Sequence, residues 1–126
     1  MIDRLDHLVL TVADLPRTID FYARGLGMRD EFFGAGRHAL VFGRQKINLH
    51  EAQGEPILPR AQHPSTGSAD ICLITAKPLP EVEAHLRREG FAIELGPVPR
   101  TGAMGPITSL YLRDPDGNLV EDSNYA

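Results

Sequence analysis

Apolar and polar positions along this chain change period in a fixed order, and they do so twice. Residues 6–12 (Asp-His-Leu-Val-Leu-Thr-Val) are aliphatic and β-branched between charged neighbours, which predicts a strand. His7, Val9 and Thr11 then lie on one face, and Leu8, Leu10 and Val12 on the other. From Asp14 to Gly25 the period lengthens: Leu15, Ile19 and Tyr22 recur at helical spacing, with Asp14 as N-cap and Pro16 in the first turn. Gly25-Leu26-Gly27 ends that helix. Three short strands are expected next, at about 28–33, 38–43 and 46–50, joined by glycine-containing turns as a meander of hairpins. Residues 52–66 are polar and rich in Pro and Gly, and are read as a linker.

The pattern then restarts. Asp70–Thr75 predicts a strand, Leu79–Gly90 a helix with Pro80 early and Gly90 at its end, and Phe91–Leu95 a strand. Gly96–Gly105 reads as a loop, followed by strands at 107–113 and 118–123. Asp114-Pro115-Asp116-Gly117 between those two is a tight-turn signal, so they form a hairpin. Each half reads strand, helix, strand, strand, strand. The expected fold is α+β, a single domain of two βαβββ modules (about 4–51 and 67–126) joined by linker 52–66.

Aligning the halves sets His7 against Asp70 and Asn48-Leu49-His50 against Leu119-Val120-Glu121, with about eight extra residues in the second copy. Glu121 is the residue that asks for an explanation. It stands in mid-strand, shares a face with Leu119 and Ser123, and needs a partner if that face is covered. If the sheets of two modules curl together, His7, His50, Asp70 and Glu121 face one concavity. Two imidazoles and two carboxylates suit a first-row divalent ion: Zn²⁺, Ni²⁺, Co²⁺, Mn²⁺ or Fe²⁺. Two coordination positions are left for water or substrate oxygens. Plainer roles stand beside this one. Asp70 can bind backbone amides where its strand begins, Glu121 can pair with an arginine, and His50 can simply end an edge strand. In the proline-rich loop, Arg100 either meets an anionic substrate group or is a solvated surface residue.

Bulk properties narrow the class. The 126 residues suffice for one domain with a real core, and no run of eighteen apolar residues is present to span a membrane. The first residues lack the apolar stretch of a signal peptide, and Cys72 is alone, so no intrachain disulfide forms and a cytoplasmic setting is expected. A formal charge of −4 without a basic block argues against a nucleic-acid partner.

Three further stretches carry a resemblance. Leu5–Val12 opens it, Phe21-Tyr-Ala-Arg-Gly-Leu-Gly-Met28 follows, and Tyr111-Leu-Arg-Asp-Pro-Asp-Gly-Asn-Leu-Val-Glu121 closes it. Over nearly its whole length the chain resembles the vicinal oxygen chelate superfamily of glyoxalases, bleomycin-resistance proteins and dioxygenases. Phe42–Glu51, Gly67–Thr75 and Gly96–Ala103 are similar to small glyoxalase-domain-containing proteins, some labelled virulence-associated. The resemblance implies paired βαβββ modules forming a curved, cup-like mixed sheet with helices outside, completed in a homodimer. It implies that the four metal positions of glyoxalase I fall on His7, His50, Asp70 and Glu121, with His and Asp where bacterial enzymes carry Glu and His. It also implies a lactoylglutathione lyase-type reaction on a small α-oxo or thiol-adduct substrate. There a base at Glu121 moves a proton through an enediolate, and Arg100 and Arg37 are candidates for substrate contact. Two alternatives remain within the resemblance: an Fe²⁺ extradiol-type dioxygenase, and a metal-free protein that sequesters its ligand.

Overall fold

The structure, a computed structural model, describes all 126 residues. It divides into two compact units, Met1–Gly67 and Ser68–Ala126. Each carries one four-stranded mixed sheet.

In the first unit, β1 (His7–Val12) leads into α1 (Leu15–Asp20), and β2 (Arg29–Phe33), β3 (Arg37–Phe42) and β4 (Gln45–Glu51) follow. Asp14 caps α1 as its sequence predicts, its carboxylate accepting from Arg17 N–H at 3.0 Å. Beyond Asp20 the expected helix widens into a π-helical segment, Phe21–Gly25, that ends at Gly27 with φ +75°. The meander is present: β2 pairs antiparallel with β3, and β3 with β4. β1 lies parallel to β4, giving the order β1-β4-β3-β2. Leu10, Val12, Leu40, Ile47 and Leu49 alternate onto one sheet face and are buried, as are Thr18, Phe21 and Tyr22 of the helical segment.

The second unit repeats the plan with β5 (Asp70–Ile74), α2 (Leu79–Arg88), β6 (Leu95–Gly102), β7 (Gly105–Arg113) and β8 (Leu119–Tyr125), in the order β5-β8-β7-β6. α2 packs on β7 and buries Leu79, Val82 and Leu86. Its N-terminus has no cap of its own, since Pro78 occupies that position. Asn124 of β8 supplies one instead, accepting from Leu79 N–H at 2.7 Å while donating to the carbonyls of Thr75 and Lys77.

One expectation fails. The strand expected at 91–95 and the loop expected at 96–105 are replaced by β6, which runs from Leu95 to Gly102. Pro97 and Pro99 read as loop residues because they cannot donate to a ladder. β6 is the edge of its sheet, where a missing N–H is tolerated. A register shift between Leu95 and Val98 admits the first proline. Gly96 is held there at φ +116°, and a Cβ on it would lie 2.4 Å from the Ser109 carbonyl oxygen.

No helix is long and apolar enough to cross a membrane.

Candidate functional site

In each sheet, one face carries the apolar rows just described and the other carries the candidate chemistry. On the first sheet that second face holds His7, Val9 and Thr11 from β1 and Lys46, Asn48 and His50 from β4. On the second it holds Asp70 and Cys72 from β5, Glu121 and Ser123 from β8, and Ser109 and Tyr111 from β7.

The parallel pairings correct the alignment made from sequence. His7 pairs with Lys46, and Asp70 with Leu119. Counting two residues on from each partner, Asn48 and not His50 occupies the place that Glu121 holds in the second sheet; His50 matches Ser123. His50 lies four positions past the partner of His7, about 13 Å along the strands at about 3.3 Å per residue. That exceeds what two imidazoles bonding one ion at about 2 Å span side by side. His50 therefore leaves the ligand set that includes His7. Within the chain no three His, Cys, Asp or Glu side chains stand together closely enough to hold an ion. Each sheet instead offers a pair at the same two-residue offset: His7 with Asn48, and Asp70 with Glu121.

His7 is prepared for an acceptor role. Its Nδ1 lies 2.7 Å from the Asp6 carboxylate, an acceptor, so Nδ1 carries a proton; in the neutral ring this leaves Nε2 as the acceptor. The same hydrogen bond holds the Asp6 carboxyl below the usual carboxylate range. Asn48 presents a buried side-chain oxygen with no hydrogen-bond partner. Such orphaned acceptors are uncommon in folded proteins. His50 is half-buried, and desolvation, with repulsion from Arg37 second, lowers its pKa. Arg37 itself is exposed at the start of β3.

Glu121 finds its partner in a hydroxyl, not an arginine. Ser109 Oγ donates to Glu121 Oε2 at 2.5 Å, and Ser109 Oγ lies 2.7 Å from Ser123 Oγ. Ser123 Oγ is in turn 3.6 Å from Cys72 Sγ. Cys72 is exposed, and burial of its sulfur leads the causes that push its thiol pKa up. Tyr111 stands directly opposite Glu121 on β7. Arg100, expected in a loop, sits on β6 with its Nε donating to the Tyr111 hydroxyl at 3.0 Å and its guanidinium 5.4 Å from that ring. Arg100 is thus held one residue away from Glu121.

Asp70 is exposed at the start of β5. The hairpin turn fixes the residue before it. Asp114 accepts from the backbone N–H groups of Asp116 and Asn118 and from the Asn118 side chain, and Asn118 Oδ1 accepts from Ala69 N–H at 2.9 Å. His38 stands on the opposite face, bonded to Asp30 at 2.9 Å.

Sequence reasoning missed Ser109, Ser123, Asn48 and Asp6. For Ser109 and Ser123 a signal existed: folding the hairpin about Asp114–Gly117 sets Ser109 opposite Ser123 and diagonal to Glu121.

Residues 4–121 match the Glyoxalase/Bleomycin resistance protein/Dioxygenase superfamily. The chain belongs to this superfamily. Among relatives in the superfamily, the virulence protein STM3117 of Salmonella typhimurium is 52% identical over 125 residues, covering 99% of this chain and 86% of that protein. The glyoxalase domain-containing protein RDO1 of Mycosarcoma maydis is 51% identical over 121 residues, covering 96% and 68%. Of solved structures, the integron cassette protein VCH_CASS1 from V. cholerae superposes with a TM-score of 0.97 at 56% identity, covering 100% and 98%. A lactoylglutathione lyase from Agrobacterium tumefaciens superposes with a TM-score of 0.73 at 21% identity, covering 98% and 94%, which is likeness of fold alone.

Proposed function

We propose that this chain is a metal-dependent, glyoxalase-like lyase acting on a small α-oxo compound or its thiol adduct, with Glu121 as the base. The observation that carries the reading is the state of Glu121. It is a half-buried carboxylate with Oε2 tied to Ser109, beside a Tyr111–Arg100 pair. Oε2 is held by the Ser109 hydroxyl, and the carboxylate would take a proton from a carbon next to a carbonyl. Arg100 would meet the negative charge of the substrate.

On the second sheet, Asp70 and Glu121 would supply carboxylate donors to a divalent ion and offset its charge; on the first sheet, His7 offers an imidazole whose Nδ1 is tied to Asp6. When bound, the ion supplies Lewis-acid polarisation of substrate oxygens. His50 and Arg37 belong to substrate contact in this reading, as a neutral imidazole beside a cation. A homodimer is part of the same proposal and is checked by sedimentation.

The test is turnover of methylglyoxal with glutathione by protein loaded in turn with Zn²⁺, Ni²⁺, Co²⁺, Mn²⁺ and Fe²⁺, with Glu121→Gln as control. Turnover that Glu121→Gln abolishes is the expected result. No turnover with any ion, together with no metal retained on purification, would remove the reading. Oxygen uptake with a catechol would replace it by the dioxygenase alternative.

A further inference from the structure

The hydroxyls beside Glu121 have a direction that follows from counting protons. Ser109 and Ser123 are both fully buried, so neither has water to bond instead. A serine hydroxyl carries one proton. That of Ser109 goes to Glu121 Oε2, because an ionised carboxylate only accepts; at 2.5 Å the contact has the length of a charge-assisted hydrogen bond. The 2.7 Å contact between the two serines must then use the proton of Ser123. Two contacts therefore run one way, from Ser123 through Ser109, and end on a single oxygen of Glu121. Cys72 adjoins this pair: its sulfur lies 3.6 Å from Ser123 Oγ, and its thiol also interacts with the Glu121 carboxylate.

We propose that Ser109, backed by Ser123, is the positioning residue for Glu121: it ties Oε2 and turns Oε1 toward a ligand. This deepens, and rests on, the reading of Glu121 as the working carboxylate. The contacts also rank the members. Ser109 touches Glu121 and matters most. Ser123 acts by polarising Ser109 and matters less. Loss of the Cys72 thiol leaves both serine contacts intact. Burial alone predicts a different order, with Ser109 and Ser123 equal.

Two measurements on the full chain decide the matter. The first is crystal structures of the metal-free wild type, Ser109→Ala, Ser109→Thr, Ser123→Ala and Cys72→Ala. Ser109→Ala is expected to move the Glu121 carboxylate by more than about 0.5 Å, the tolerance of a working site. Ser109→Thr, which keeps the hydroxyl, restores it; Ser123→Ala shifts it less, and Cys72→Ala leaves the Ser109–Glu121 contact formed. The second is Co²⁺ titration against a chelating dye, where Ser109→Ala is expected to weaken binding by about tenfold and Ser109→Thr to recover it. A Glu121 carboxylate unmoved in Ser109→Ala, or moved as far by Ser123→Ala as by Ser109→Ala, overturns the proposal. Displacement in the expected order without Co²⁺ uptake by the wild type supports the positioning role and removes the metal reading instead.

Discussion

Asp122 offers the sharpest energetic prediction. It follows Glu121 on β8, so its side chain points to the opposite face of the sheet, which it shares with Val120 and where its antiparallel partner is Leu110. It is 6% exposed among apolar neighbours that are fully buried. Burial pushes its carboxyl from the ordinary 3.8 up to about 6, against the partial relief of a hydrogen bond from the Ser123 backbone. At about 1.36 kcal/mol per pKa unit, holding this carboxylate ionised costs the fold on the order of 3 kcal/mol. The sign follows from proton counting. Between pH 3.8 and about 6 the unfolded chain has released this proton and the folded chain still holds it, so stability falls as pH rises through that window and levels off above it. Asp122→Asn removes the charge and keeps an acceptor for Ser123 N–H. Its new amide donors need partners of their own, so the gain at pH 8 is expected to be about 2 kcal/mol. Urea unfolding of both proteins at pH 8, 6 and 4 measures it. The gain should be full at pH 8, reduced at pH 6 and mostly gone at pH 4. A gain that does not change with pH, or no gain at pH 8, would refute the assignment of this charge as a burial cost.

Other predictions follow from single contacts. Arg37→Gln removes the smaller of the two causes that lower the His50 pKa, so NMR titration of His50 should show a rise that stops short of an ordinary histidine. Because His50 resists protonation in the fold, its contribution to stability declines as pH falls below 6.5; His50→Gln should flatten that part of the stability profile. Gly96→Ala forces a Cβ against the Ser109 carbonyl at positive φ and should cost at least about 2 kcal/mol in chemical unfolding, with β6 loosening first by hydrogen exchange. Asn118→Ala leaves Ala69 N–H without its acceptor, removes one donor from Asp114 and should cost about 1–3 kcal/mol, with faster exchange at the start of β5.

The alternation of apolar residues was enough to find both sheets, because a strand with one buried face imposes period two on its sequence. Helix starts were legible where a local cap marks them, as at Asp14. The start of α2 rests on Asn124, 45 residues away, which no local pattern reveals. β6 was invisible because edge strands accept the prolines that propensity assigns to loops. The open faces were read correctly residue by residue, but register was not. The sequence pattern of the halves sets His50 against Glu121, whereas the ladder partners place Asn48 there. The superfamily was legible from its opening and closing stretches, whereas Ser109 became visible only as a neighbour of Glu121 across the hairpin.

The two pairs at the same offset differ in one respect. The first copy contributes an imidazole and an amide; the second contributes two carboxylates. Carboxylates are therefore concentrated on the open face of the second sheet. Substitutions at Asn48 change the shape and hydrogen bonding of the first face and leave the carboxylates of the second untouched, whereas neutral substitutions at Asp70 or Glu121 each remove one of them.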